Sequence, residues 1–476
     1  MKKRILTLVA ALAAAALLAA CGDKTPAVTT TDTSAEDTSV TDAETLGIPE
    51  TADYGGEAFN ILSAGNVAYA DFTADENAST PLDSAQYRRK ALVEQNYGVK
   101  IAETVEKAYS SGGGPGYKRL STDANAGDCN FDLALVAGYD VTVLAYSDYL
   151  YDLASIPGID LSKSWWDKRA NESLAVRGVM FFTTGEITVS DNNVAFVILF
   201  NKELRKAYDL NDPYSLVYDG EWTLDTFGAL CKTVTEDLDQ NGVMDANDRF
   251  GVLVWDDSVV GIVNAAGQRC CTIAEDGTIG LTLYNETTLA ALDKYFSIIY
   301  DTQYALTYQR EKVDPLEMWQ ADKGLFWMNT MDRIPQLRGM ESDFGILPYP
   351  KLNAEQQDYC TTVAPYNSQF VCVPLIQKDI ERTGIITEAL AYYGEKIVTP
   401  AYYDVNLVGQ STRDEESADM LEIIFDNLVF DIGYYYQVGP YNKQLIRMVQ
   451  ERDTNFTSMY DSYKTSAERL LTVINT

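Results

Sequence analysis

The densest run of metal-ligating residue types in the chain is Asp237-Leu238-Asp239-Gln240-Asn241-Gly242-Val243-Met244-Asp245-Ala246-Asn247-Asp248. Counted from Asp237, side-chain oxygens fall at positions 1, 3, 5, 9 and 12, a backbone carbonyl at 7, and a glycine at 6, where a cation-binding loop turns sharply. Hard oxygen donors in this order suit calcium. Asp237, Asp239, Asn241, Val243, Asp245 and Asp248 are therefore the candidate ligands, with Ca2+ as the expected structural cofactor. Asp248 stands where an EF-hand loop carries Glu, and the shorter side chain makes bidentate closure harder; the alternative is a solvated acidic loop. Leu224, Phe227, Cys231 and Val234 before the loop follow a helical pattern, and Phe250 to Val254 after it reads as a strand. A helix–loop–strand of this kind is a clip rather than half of a paired sensor. In a calcium-rich exterior an affinity of ~10⁻⁴ M would suffice.

Other chemistry is narrowed by what the chain lacks. It has no histidine, which excludes Ser-His-Asp and Cys-His catalysis and imidazole metal sites. Seventy Asp and Glu face 37 Lys and Arg, a net charge of −33, so a phosphate backbone would be repelled and nucleic acid is not an expected partner. The adjacent pair Asp256-Asp257 points only weakly to carboxylate catalysis, since such pairs arise by chance among so many acids. Gly112 to Gly116 lacks the Gly-Lys-Ser/Thr ending of a phosphate cradle and reads as a flexible surface loop. Aromatic residues with polar handles are abundant: 31 Tyr and 6 Trp against 16 Phe. Such rings stack on an amphipathic ligand and also hydrogen-bond it. Trp255 with Asp256 and Asp257, Trp327 with Asn329, Tyr366, and Tyr402-Tyr403 are candidates for ligand contact; for Trp165-Trp166, packing is equally natural.

The first 20 residues read as a secretory signal: Lys2, Lys3 and Arg4, then an apolar run from Ile5 to Leu18 too short to span a membrane. It ends in Leu18-Ala19-Ala20-Cys21, which resembles a bacterial lipobox and makes Cys21 the expected lipidation site. Loss of the three basic residues takes the net charge from −33 to −36. Residues 21–50 are Thr-, Ser- and acid-rich without an aromatic, a tether from the lipid to the folded part. Six cysteines remain, with no CxxC pair, and Cys129, Cys231 and Cys372 sit in apolar contexts suited to buried free thiols.

The folded part must position these groups. Ala58 to Leu62 reads as a strand, Ser84 to Gln95 as a helix closed by Gly98, Val99 to Ile101 as a strand, a helix follows the glycine loop, and Phe131 to Ala137 is a mostly apolar strand. This alternation predicts a parallel sheet covered by helices, with ligands beyond the strands' carboxyl ends, at Asn66 and at Tyr139. Further strands are expected at 194–200, 250–255, 324–328, 344–347 and 370–373, and helices around 417–426 and 443–452.

Asp160 to Asp167, Phe200-Asn201-Lys202-Glu203-Leu204, Glu221 to Phe227 and Gly345 to Lys351, in this order, resemble extracellular solute-binding proteins, the lipid-anchored receptors of ABC importers, in the group that includes oligosaccharide binders. The resemblance implies an α/β, two-lobed periplasmic-binding-protein-like fold of class II type with a multi-strand hinge. It implies lobe one at 51–190 plus 330–366 and lobe two at 191–329 plus 367–476, with crossings near Ser190 to Val194, Met328 to Ile334 and Pro365 to Gln369. Asp191 and Asn192 then join the ligand candidates. The implied protein is a non-enzymatic monomer on the outer membrane face, partnered by importer permease subunits. It clamps a small uncharged molecule, most readily an oligosaccharide, and releases it unaltered. A secreted carboxylate-dependent glycoside-active enzyme and a cell-surface glycan-binding module are the alternatives.

Overall fold

In the computed structural model, residues 45–75, 80–301, 303–337, 339–403 and 415–476 are described. The expected signal peptide, Cys21 and most of the tether lie outside them. No helix among the described residues is long and apolar enough to cross a membrane.

The first sheet contains β1 (Glu57–Gly65), β2 (Val99–Lys107), β3 (Leu133–Ala137) and a late strand, β9 (Gln369–Cys372), in the order β9-β3-β1-β2. β1 runs parallel to both β2 and β3, with Phe59 opposite Ile101 and Leu62 opposite Ala134. β9 enters antiparallel, Phe370 opposite Val136. The helix joining β1 to β2, Pro81–Tyr97, is capped by Thr80, whose side chain accepts from the Asp83 N–H. It stops at Gly98, whose φ of +59° is the left-handed conformation that glycine adopts without steric cost. β3 is buried along its whole length, as a central strand covered on both faces must be.

The second sheet orders β8 (Phe344–Leu347), β4 (Phe196–Asn201), β7 (Gly324–Thr330), β5 (Phe250–Val254) and β6 (Ala305–Thr307). β5 is parallel to β6 and β7, while β4 runs antiparallel to β7 and β8. One apolar core joins β4, β5 and β7 to the helices packed on them and continues to Leu62, Ala134, Val136 and Phe370 of the first sheet; another packs Phe59, Ile61, Leu133 and Leu135 against Ile386, Ala389 and Leu390 of helix Ile380–Tyr393.

Sheet membership corrects the expected lobe boundaries. β8 belongs to the second sheet and β9 to the first, so 330–366 does not fall with lobe one and 367–403 does not fall with lobe two. The Met331–Leu337 turn links two strands of the same sheet and is not a crossing. The chain passes between sheets at 190–195 and again at 363–368. These two segments pair: Ala195 bridges Val363, and the Ala364 N–H donates to the Val194 carbonyl at 3.2 Å. Helix Glu415–Asp426 returns to the core built on β4, β5 and β7, where Tyr214 and Ser417 share a 2.6 Å hydrogen bond.

The six cysteines described are free. Cys231 and Cys372 are buried as expected, but Cys129 is exposed: it lies in the short link before β3, where the chain is at the surface.

Candidate functional site

The carboxyl ends of β1, β2 and β3 lead to a cluster of polar aromatics. Tyr109 follows β2, Tyr139 follows β3, and Tyr366 lies in the second inter-sheet segment. The Tyr109 and Tyr366 ring centroids are 5.6 Å apart, and those of Tyr139 and Tyr366 6.5 Å. Beside them Asn66, at the end of β1, donates through Nδ2 to Asn367 Oδ1 at 3.0 Å. The Tyr139 hydroxyl accepts from Asn442 Nδ2 at 2.6 Å. From the second sheet Asp257, two residues past Trp255 at the end of β5, lies close enough for its charge to act on the phenols of Tyr139 and Tyr366. Burial first, and that charge among the other causes, pushes both phenols up in pKa, so both hydroxyls stay protonated and able to donate. The site therefore draws on the ends of first-sheet strands and on the inter-sheet segment.

Local sequence explains the close approach. A side chain at Gly138 would bring its Cβ within 2.6 Å of the Pro365 carbonyl oxygen and 3.1 Å of the Tyr435 ring, so only glycine lets β3 end against the inter-sheet segment. The glycine loop that precedes helix Pro115–Ala126 is not free, contrary to the sequence reading. The buried Asp140 carboxylate accepts from the Gly112 and Gly114 N–H groups at 3.1 and 2.9 Å, and Gln437 Nε2 donates to the Ser111 carbonyl. Tyr109, which precedes the anchored loop, is itself 67% exposed.

The remaining predicted residues divide. Asp256 is buried, accepting from Gln450 Nε2 at 2.5 Å, and Trp255 packs on Phe196 at 5.0 Å, partly exposed. Asn329 is buried and donates to the Tyr308 hydroxyl at 3.1 Å. Trp327 is not a cleft residue: it lies in the core beside Trp319, because its position on β7 faces the helices. Tyr402 is likewise core, packed with Val189 and Val398, and Tyr403 faces Phe425 at 5.7 Å rather than the tyrosine cluster. Asp191 and Asn192 sit in the first inter-sheet segment, but Asp191 is buried. Thr184 donates to it at 3.1 Å, and burial, with Asp167 and Glu186 nearby, raises its pKa to about 7. That acid group, with Arg169, is a separate cluster. Trp165 and Trp166 are core residues whose indole N–H groups each donate to Glu388 at 3.0 Å. The sequence reading missed Tyr109, Asn367 and Asn442; their only signals were a tyrosine before the glycine loop and an asparagine after Tyr366.

The acidic loop has the donor chemistry calcium requires. One oxygen each of Asp237, Asp239 and Asp248 lies within 4.8 Å of the others. Gly242, at φ +81°, makes the sharp turn and donates to Asp237 Oδ2 at 2.8 Å, while Asp237 Oδ1 is buried without a hydrogen-bond partner. Asn241 N–H donates to Asp239 and Val243 N–H to Asn241, folding the loop's oxygens inward. Asp248 is fully buried, and its carboxylate accepts the Leu238 and Asp245 N–H groups at 2.9 and 2.8 Å. A cavity of about 500 Å³ lies beside this loop, lined by Phe250, Tyr300, Arg310 and Arg452 among others, and draws on the second lobe alone.

No protein-family model and no curated protein sequence matches the chain. Solved structures do. An ABC substrate-binding protein from Listeria monocytogenes in complex with cycloalternan superposes with a TM-score of 0.56 at 13% identity, over 88% of this chain and 99% of that one. A cyclo/maltodextrin-binding protein complexed with maltotetraose gives 0.57 at 12% identity, covering 87% and 97%. Maltose-bound MalE3 from T. maritima gives 0.53 at 14%, covering 87% and 99%. At these identities the likeness fixes the fold, the two-lobed periplasmic-binding-protein-like α/β architecture; the neighbours themselves are binding proteins rather than enzymes.

Proposed function

We propose that the chain is an extracellular substrate receptor of an ABC importer that binds a saccharide between its lobes, closes about the hinge and hands the ligand on chemically unaltered. The single observation that carries this reading is the tyrosine cluster, built at the ends of first-sheet strands and on the segment that leads between the sheets, where lobe closure would complete it. Tyr109, Tyr139 and Tyr366 provide ring faces for a sugar's C–H surfaces, and Asn66, Asn367 and Asn442 supply amide groups suited to its hydroxyls. The sugar ligands of the structural neighbours support the same ligand class. A ligand that prefers the closed form shifts an open–closed equilibrium, and the permease subunits would read the closed form. On this reading the mature chain is a monomer held to the membrane by a lipid on Cys21, and calcium at Asp237, Asp239, Asn241, Val243, Asp245 and Asp248 clips a helix to β5.

The test is a thermal-shift screen of oligosaccharides on the purified chain, with and without calcium. A true ligand raises the melting temperature in proportion to the logarithm of its concentration. Tyr366→Ala is expected to cut that shift sharply while leaving the free protein folded. Should no saccharide shift the transition, or should one be hydrolysed, the receptor reading fails.

A further inference from the structure

The cavity beside the acidic loop shares no residue with the tyrosine cluster, and its lining combines an apolar wall with two guanidinium groups. Phe250 at the start of β5, Ile299 at the end of helix Glu286–Ile299 and Leu306 on β6 are buried, and half-buried Val313 adds to the same wall. Arg310 and Arg452 supply the charge. Arg452, just past helix Tyr441–Glu451, holds its guanidinium carbon 5.6 Å from the centre of the Tyr300 ring. Tyr300 is a fixed base for it. Its ring stacks on Phe296 at 4.9 Å, 6° from parallel, and its hydroxyl donates to the carbonyls of Met448 and Asp453 at 2.8 and 3.0 Å. A guanidinium resting on a ring face keeps its in-plane N–H donors for a planar oxyanion. Among the described residues nothing takes them up: the Arg452 side chain makes neither a hydrogen bond nor an ion pair. Two carboxylates share the lining. Asp245 Oδ1 accepts the Asn247 N–H at 2.8 Å within the acidic loop, and Glu311 stands 3.9 Å from Arg310, at the outer limit of an ion pair. Arg452 is the charge left over. A volume of about 500 Å³ is that of a small-molecule site.

We propose that this cavity is a second binding site, confined to the second lobe, for a small organic anion with a flat apolar body, an aromatic carboxylate. Its ring lies along Phe250, Leu306 and Val313, and its carboxylate accepts two parallel hydrogen bonds from Arg452, with Arg310 adding to the attraction. The site is independent of the saccharide cleft and of whether that reading holds.

Three indoles that differ only in the charge of one side arm separate the possibilities by calorimetry on the whole chain: indole-3-acetate, indole-3-ethanol and tryptamine. The anion is expected to bind at least about tenfold more tightly than the alcohol, and the amine most weakly. Arg452→Gln is expected to bring the first ratio close to one. Arg452 has φ +59°, and Gln bears the same backbone cost there as Arg, so this variant should fold as the wild type does. Val313→Trp, which fills the cavity without changing its charge, should weaken the anion and the alcohol alike. Tyr366→Ala, in the tyrosine cluster, should leave indole-3-acetate binding unchanged. Equal affinity for the three indoles, no binding of the anion, or an unchanged ratio in Arg452→Gln overturns the site. Loss of the anion in Tyr366→Ala would place it in the cleft and overturns it too. A tighter complex with an Asp-Phe-Asp peptide than with indole-3-acetate would make this a protein-docking face and overturns the small-molecule ligand. None of these outcomes touches the saccharide-receptor reading, which the oligosaccharide screen tests separately.

Discussion

Asp191 and Glu186 show how a single buried carboxyl can tax the fold. Asp191 is buried and Glu186 half-buried, and each is pushed to a pKa of about 7, by burial first and then by neighbouring acids: Asp167 and Glu186 for Asp191, Glu395 and Asp167 for Glu186. Thr399 donates to Glu186, and Thr184 to Asp191. Their ordinary values are 4.5 and 3.8, so between about pH 4 and 7 the folded state holds protons that the unfolded chain has released. Stability from these groups is therefore full below pH 4, falls as pH rises to 7 and is level above it. Asp191→Asn mimics the protonated side chain. It should match the wild type near pH 4 and exceed it at pH 8, by up to roughly 4 kcal/mol. Parallel denaturation curves at the two pH values would contradict this. Asp191 was legible in the sequence as a polar residue at a chain crossing, but not its burial, because Glu186 and Asp167 come alongside only through the fold.

At the scale of elements, local pattern was informative. The helix closed by Gly98, the strand ending at Ala137 and the strand Phe344–Leu347 all lie where residue periodicity put them, because capping and alternation act over a few residues. The twelve-residue acidic loop belongs to the same class, since its geometry is set by its own Asx-type bonds and Gly242. The expected consequence is metal-dependent stability. Replacing Asp237 and Asp239 together by Ala should remove about 1.4 kcal/mol at a calcium concentration ten times the dissociation constant, and almost nothing in the presence of a chelator. Urea denaturation in both conditions measures the difference; an equal loss in each would count against the ion. What the elements do not disclose is what covers their faces: Trp327 and Asn329 share one face of a strand, and only the packing of the rest of the chain buries both.

For the whole molecule, attachment and closure are separate matters. Cys21→Ser should release the protein from the membrane fraction into the soluble exterior without altering its ligand-induced thermal shift, which fractionation and the shift assay report independently. Continued membrane retention would rule out the lipid anchor.

The sequence by itself determined the elements, the acidic loop and the absence of imidazole chemistry, since each follows from residue types or short-range order, while the two-lobed class came through the resemblance to solute-binding proteins. Tertiary structure alone decided which sheet receives the strands at 344–347 and 369–372, and hence where the lobes divide. It also decided which of the 31 tyrosines meet, bringing Tyr109, Tyr139 and Tyr366 together across more than 250 residues. Strand order and ring encounters are set by the burial of remote apolar faces against one another, and no local periodicity records which distant partner wins.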